Sequence, residues 1–265
     1  MDIQIFQRGH GETIIFVHGL VGNHQVFSRE FESFSSHFHV IAYDYLGHGG
    51  RSLNDKPFTL PSLVEELHQV YVKTGIRKAH LCSLSFGSYI ANVFAYQYPD
   101  LVASLCHIGG SFNGGFQLWQ AYKNLWECRD QPYKQWIEQF SQVIAEDHQP
   151  NVEKSRSIFE RHALTVDPSI LYEAVRLRVF YDMRTILSHL HQPMLWVLGQ
   201  NDPLYQSCLT ELFKIVPHVQ YVELQDALHV AHIFQPDQFQ AEYRSFLHRV
   251  THGQNRPIDQ AVQQN

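Results

Sequence analysis

The sequence is sparing in charge, in cysteine and in long apolar runs, and each shortage removes a class of function. Charged residues make up 17 % of the 265-residue chain, and the formal net charge is −6. A negative balance without a Lys/Arg stripe gives nucleic-acid phosphates nothing to grip, so no nucleic-acid partner is expected. The four cysteines, at 82, 106, 128 and 208, lie far apart without a C-x-x-C pair. That spacing excludes the usual zinc knuckles, and two of the four fall in apolar, strand-like runs, which reads as reduced thiols in or near a core. No stretch approaches the roughly 18 consecutive apolar residues of a membrane helix. Met1-Asp2-Ile3-Gln4 opens into a strand-like segment with no basic region of a secretory signal. The expectation is a cytoplasmic protein with no membrane partner. Histidine is plentiful, at 18 residues, yet His-Glu-x-x-His is missing, and pairs such as His37/His39 and His189/His191 lack carboxylates in a ligand-like pattern. No metal site is expected.

What is present suits one large α/β domain or a core domain with an insertion. Hydrophobic residues reach 44 %, enough to fill a core. Short apolar runs at residues 13–17, 38–42, 79–82, 103–108, 194–198 and 219–223 read as strands. Several are almost continuously apolar, as expected where both faces of a parallel sheet are covered. Between the second and third, Leu60, Leu63, Val64, Leu67, Val70 and Tyr71 keep helical spacing. Thr59 or Ser62 stands available as a cap, with Pro61 in the first turn and Gly75 at the end. A second helix is expected from just after Ser85 to about Tyr98, before Pro99. Strand, helix, strand in this order predicts a mostly parallel central sheet flanked by helices.

The alternation stops over residues 111–192. A structureless loop of that length is improbable in a compact domain, and the region carries helical patterns rich in aromatics. It reads as an inserted helical cap with helices near 118–147, 152–164 and 170–189, between core segments 1–110 and 193–250. The polar, aperiodic stretch 251–265 reads as a flexible tail.

The segment His80-Leu81-Cys82-Ser83-Leu84-Ser85-Phe86-Gly87-Ser88 runs from an apolar strand through small-x-Ser-x-small into a helix. A sharp strand-to-helix turn of this kind strains the central residue and exposes its hydroxyl at a helix N-terminus, where N–H groups favour developing negative charge. Ser83 takes the place of the first glycine of G-x-S-x-G. As a nucleophile in its own right Ser83 is disfavoured, because Leu81 lies two positions before it.

Four further segments keep this elbow company. Phe16-Val17-His18-Gly19-Leu20 and the run from Asp44 to Ser52 follow strands upstream. Leu198-Gly199-Gln200-Asn201-Asp202-Pro203 and Ala227-Leu228-His229, with Pro236 beyond, follow downstream. In this order the set resembles the α/β-hydrolase superfamily, and in particular its capped esterase-like branch, over about residues 13 to 250. The resemblance implies an α/β-hydrolase fold with a cap. It makes Ser85 the nucleophile, Asp202 the acid and His229 the base, in the chain order this fold uses. Asp202 has a competing reading as a turn former in Asn-Asp-Pro. Asp226 and Asp237 lie too close to His229 to match the pattern, and the spacing to Pro236 selects His229 over His232. His18 would support the oxyanion loop, and the oxyanion hole would be the backbone N–H groups of Leu20 and Phe86. The Asp44–Ser52 run would shape the site. Serine at 85 excludes the haloalkane dehalogenase branch, which needs Asp there.

The substrate pocket would involve Leu20, Phe86, Trp119, Trp126 and Val230. Other cap aromatics, including Phe112, Phe116, Tyr122, Trp136 and Phe140, would roof it or form the cap's own core. The implied activity is carboxylic-ester hydrolysis through an acyl-enzyme, without metal or organic cofactor, on a small-molecule ester or acyl substrate. Alternatives are a C–C bond hydrolase on a diketone-type acid, a carrier-protein-linked methyl ester esterase, and a hydrolase-like small-molecule receptor. The carrier alternative rests on Lys154, Arg156, Arg161, Arg176, Arg178 and Arg184, which could greet an acidic substrate or an acyl-carrier protein, or simply form solvated helix faces.

Overall fold

The computed structural model describes residues 3–54, 56–144 and 152–253. Among these residues seven strands form one sheet: β1 (Gln4–Arg8), β2 (Thr13–Val17), β3 (His39–Asp44), β4 (Ala79–Leu84), β5 (Val102–Ile108), β6 (Met194–Gly199) and β7 (Gln220–Leu224). Their order is β1-β3-β2-β4-β5-β6-β7. β1 pairs antiparallel at the edge, and all other pairs are parallel. Alternation by two explains how one run serves two cores. Ile15, Val17, Ile41 and Tyr43 face one side of the sheet, while Ile14, Phe16, Val40 and Ala42 face the other. The central strands β2, β4 and β6 are buried throughout, which is why they read as unbroken apolar runs.

One face is covered by α2 (Leu60–Thr74) and α3 (Gly87–Gln97), the other by α1 (Ser28–Phe34) and α12 (Pro236–Thr251). The start and stop signals of α2 act as the sequence suggests. The Thr59 side chain accepts from the N–H of Ser62, the Ser62 hydroxyl accepts from the N–H of Thr59, and Gly75 ends the helix at φ +70°.

Among the described residues, five helices lie between β5 and β6: α4 (Phe116–Glu127), α5 (Tyr133–Ile144), α6 (Val152–Ala163), α7 (Pro168–Phe180) and α8 (Met183–Ser188). The expected helix over 118–147 is two helices. Pro132 has no N–H to continue the ladder, and the chain turns before it with Gln131 N–H donating to Cys128 O. Positions 145–147 lie outside the described residues. The expected helix over 170–189 is also broken, at Tyr181–Asp182. The Asp182 side chain accepts from the N–H of Thr185 and starts α8 anew. Short helices α9 (Pro203–Gln206) and α10 (Leu209–Ile215) lie between β6 and β7, and α11 (Ala231–Phe234) follows β7. The tail is described only to Gly253, with α12 ending at Thr251.

Because β2, β4, β6 and β7 run parallel, the segments that follow them share one sheet edge. Leu20, Ser85, Asp202 and His229 therefore emerge together. The chain steps outward from β2 to β3 and then back across to β4, so the strand order reverses between β2 and β4. That is where open α/β sheets leave a crevice for ligands.

Candidate active site

Ser85 stands between β4 and α3 with φ +48°, a left-handed conformation that costs a non-glycine residue about 1–2 kcal/mol. The turn is held from below: Ser85 N–H donates to Ile108 O at 2.8 Å, and the Ser88 hydroxyl donates to Ser85 O at 2.6 Å. Two residues on, a Cβ at Gly87 would meet Val17 O at 2.5 Å and His18 O at 2.6 Å, so only glycine lets α3 start this close to β2. Ser83 is fully buried at the end of β4, where its φ is not positive, and its hydroxyl bonds His107 Nδ1 at 2.7 Å. A serine fits there because the strain falls two residues later.

His229 Nε2 lies 2.9 Å from Ser85 Oγ, and His229 Nδ1 lies 3.1 Å from Asp202 Oδ2. A carboxylate can only accept, so Nδ1 carries the proton and Nε2 is free to accept from the serine hydroxyl. Both side chains are about 95 % buried. The imidazole is seated against Gly109, whose φ is +56° and whose added Cβ would come within 2.8 Å of His229 Cε1. On another side the Tyr205 ring packs at 4.0 Å between centroids. Asp202 N–H donates to Gly199 O, fixing the acid at the end of β6.

The segment after β2 arches beside Ser85, with Gly19 against Ser85 Cβ. Among the described residues, neither Leu20 nor Phe86 spends its backbone N–H on an intrachain acceptor. His18 braces this arch: its Nδ1–H donates to Gly19 O at 2.8 Å, and its Nε2 accepts from Tyr45 N–H. Burial, with His48 beside it, holds the His18 imidazole well below its usual range, so it stays neutral. His48 accepts from Val21 N–H, while Asp44 accepts from the backbone and ring N–H of His24. The Asp44–Ser52 loop thus supports the arch rather than meeting Ser85. A cleft of about 500 Å³ opens beside it, lined by Val21, Gly22, His48, Arg51, His162 and Ile170 among others.

The helices between β5 and β6 contribute two side chains that the sequence does not place at the centre. Arg178 on α7 donates from Nη2 to Ser85 Oγ at 3.4 Å, and Tyr122 on α4 bonds the Tyr205 hydroxyl at 2.6 Å. Of the two readings that the sequence leaves for Arg178, an acid-binding residue or part of a solvated helix face, the solvated face does not hold, because the side chain is 3 % exposed. A signal for this was available: Leu171, Ala174, Val175 and Arg178 share one helical face, and the first three are buried. Trp119 instead donates its indole N–H to Val179 O, and Trp126 packs edge-on to Phe180 with Arg129 over its ring. Leu20 is half-buried against the core on the α2–α3 side of the sheet, and Val230 against the core on the other side. Trp136 and Phe140 are buried in the packing of α5 with Tyr172 and Phe159, while Phe116 is exposed.

The rival residues lie elsewhere. His232 is buried with Nε2–H donating to Val26 O, and burial pushes it down to about 4. Asp226 and Asp237 are exposed. Among the described residues, no three His, Cys, Asp or Glu side chains gather to hold a metal ion, and no helix is long and apolar enough to cross a membrane.

Comparison with known proteins agrees with this architecture. The pimeloyl-[acyl-carrier protein] methyl ester esterase of Hamiltonella defensa is 25 % identical over 241 residues, covering 87 % of this chain and 91 % of that protein. The 3-oxoadipate enol-lactonase 1 of Acinetobacter baylyi is 23 % identical over 257 residues, with 93 % and 92 % covered. A solved structure from a study of Nitrososphaera carboxylesterases superposes with a TM-score of 0.76 at 20 % identity, covering 95 % of this chain and 96 % of that one. The family model for the alpha/beta hydrolase fold matches residues 12–236. The chain belongs to the alpha/beta hydrolase fold family.

Proposed function

We propose that the protein is a carboxylic-ester hydrolase working through an acyl-enzyme on Ser85. The observation that carries this reading is the hydrogen-bonded line from Asp202 through His229 to Ser85, with the serine held at positive φ. Ser85 Oγ attacks the ester carbonyl carbon as His229 Nε2 takes its proton. A C–O bond forms, and the carbonyl electron pair moves to oxygen, where the N–H groups of Leu20 and Phe86 receive it. When the intermediate collapses, the bond to the leaving alkoxide breaks and His229 returns the proton to that oxygen. Water then repeats both steps on the acyl-enzyme, releasing the acid and restoring Ser85. Throughout, Asp202 accepts from Nδ1–H, holding the tautomer and stabilising the imidazolium. Two of the relatives aligned along most of the chain are named an esterase and a lactonase, which supports this chemistry.

The carrier-protein form of the reading draws little from the basic cap residues. Arg176 is paired with Glu173, Arg184 with Glu211, and Arg178 is buried. Labelling with a fluorophosphonate probe and peptide mapping tests the central proposal. A label on Ser85 that is lost in His229→Ala is the expected result, and an unlabelled Ser85 in folded protein overturns it. Turnover of simple p-nitrophenyl esters against diketone-type acids separates ester from C–C cleavage.

A further inference from the structure

Two arginines are buried among the described residues, and only one is answered by a carboxylate. Arg51 grips both oxygens of Glu66, at 3.1 and 2.7 Å, and also donates to Asp44 O. Arg178 has no Asp or Glu within ion-pair distance among the described residues. Aromatic rings stand around it instead. Its guanidinium carbon lies 4.9 Å from the centre of the Tyr122 ring, 5.4 Å from Phe86 and 5.5 Å from Tyr89. Nη2 makes the long contact to Ser85 Oγ, whereas Nε and Nη1 are buried with no acceptor. The hydroxyls of Tyr45 and Tyr89 are likewise buried and unpartnered.

A guanidinium stays charged at any pH a protein meets, and a desolvated charge is costly unless it is paired. Aromatic faces return part of that cost but leave the N–H groups unspent. The guanidinium therefore holds out donors without acceptors beside the serine that the proposed reading makes the nucleophile. We propose that Arg178 is a specificity-determining residue that binds a carboxylate on the substrate, so that the preferred substrates are esters or lactones carrying a free carboxylate near the scissile carbonyl. The inference rests on Ser85 being that nucleophile. One cation matches one carboxylate, whereas a phosphate dianion would bring an unmatched charge. With Nη2 at 3.4 Å from Ser85 Oγ, ordinary bond lengths and a charge-assisted hydrogen bond leave room for about one to three carbons between the carboxylate and the reacting carbonyl.

The test compares monomethyl succinate with methyl butyrate, read as kcat/KM from acid release. The unmodified chain should favour the succinate ester by about tenfold or more. Arg178→Met should lower that ratio on the order of 100-fold, and Arg178→Lys should fall between. A ratio that stays put in a folded Arg178→Met or Arg178→Lys protein overturns the proposal. Succinate titrated into Ser85→Ala by calorimetry should bind, and inorganic phosphate should bind more weakly. This measurement decides even if neither Arg178 variant folds, because failure of succinate to bind overturns the proposal by itself. Fluorophosphonate labelling of Ser85 without succinate binding or preference removes the carboxylate site alone. Succinate binding without labelling removes the ester-hydrolase reading and leaves a carboxylate site.

Discussion

The hydroxyls of Tyr122 and Tyr205 meet at 2.6 Å, one on α4 and the other three residues after Asp202, and the Tyr205 ring rests on His229. One buried hydrogen bond thus ties the helices between β5 and β6 to the seat of the imidazole. Removing either hydroxyl strands the other. Tyr122→Phe and Tyr205→Phe should each cost about 1–3 kcal/mol, and the double variant should cost less than the sum. Denaturant midpoints of the three variants check this. Tyr205→Ala should lower kcat beyond Tyr205→Phe, because it removes the ring that packs on His229.

Backbone strain at Ser85 gives a second prediction. Ser85→Ala and Ser85→Gly should both be inactive, yet they should differ in stability. Alanine keeps the penalty at φ +48° and glycine relieves it, so Ser85→Gly should melt about 2 °C higher than Ser85→Ala. Equal melting temperatures would mean that the turn carries no strain.

Gly87 is the position where the elbow tolerates least. Its missing Cβ faces two backbone carbonyls, which cannot rotate away as side chains can. Gly87→Ala should therefore destabilise by about 1–3 kcal/mol and depress fluorophosphonate labelling of Ser85 by displacing the turn. Ser83→Gly, restoring the more usual elbow residue, should leave labelling in place, since Ser83 needs no positive φ.

Buried neutral histidines set the response to acid. Burial pushes His48 and His232 down to about 4 and His107 down to about 3. The unfolded chain takes up protons at these sites below about pH 6.5, while the folded chain refuses them until about pH 4. Stability should therefore fall as pH drops through that window, by up to about 3 kcal/mol per histidine. Glu30, pushed up to about 7 by burial, works in the opposite sense: its neutral form stabilises at low pH and is lost as pH rises towards 7. It offsets one of the three histidines, so the net loss on acidification remains. Urea midpoints at about pH 7 and about pH 5 measure it, and His232→Gln should shrink the difference.

By itself, the sequence determined everything that depends on near neighbours along the chain. The two-residue alternation of Ile14, Ile15, Phe16 and Val17 already assigns each residue to a face of the sheet, and Thr59, Pro61 and Gly75 already bound a helix. The small residues around Ser85 announce a tight turn, because steric exclusion there is local. Tertiary structure decided what depends on distant segments meeting. His229 reaches Ser85 across 144 positions only because β4 and β7 run parallel and end at the same edge. Arg178 turns inward because its helix lays Leu171 and Val175 against the core, and a charged residue on that face goes down with them. The breaks at Pro132 and Asp182 between β5 and β6 are local as well, a missing N–H and a side-chain acceptor, and they outweigh the apolar periodicity that runs past both. The sequence left Arg178 between an acid-binding role and a solvated face; packing put it beside Ser85.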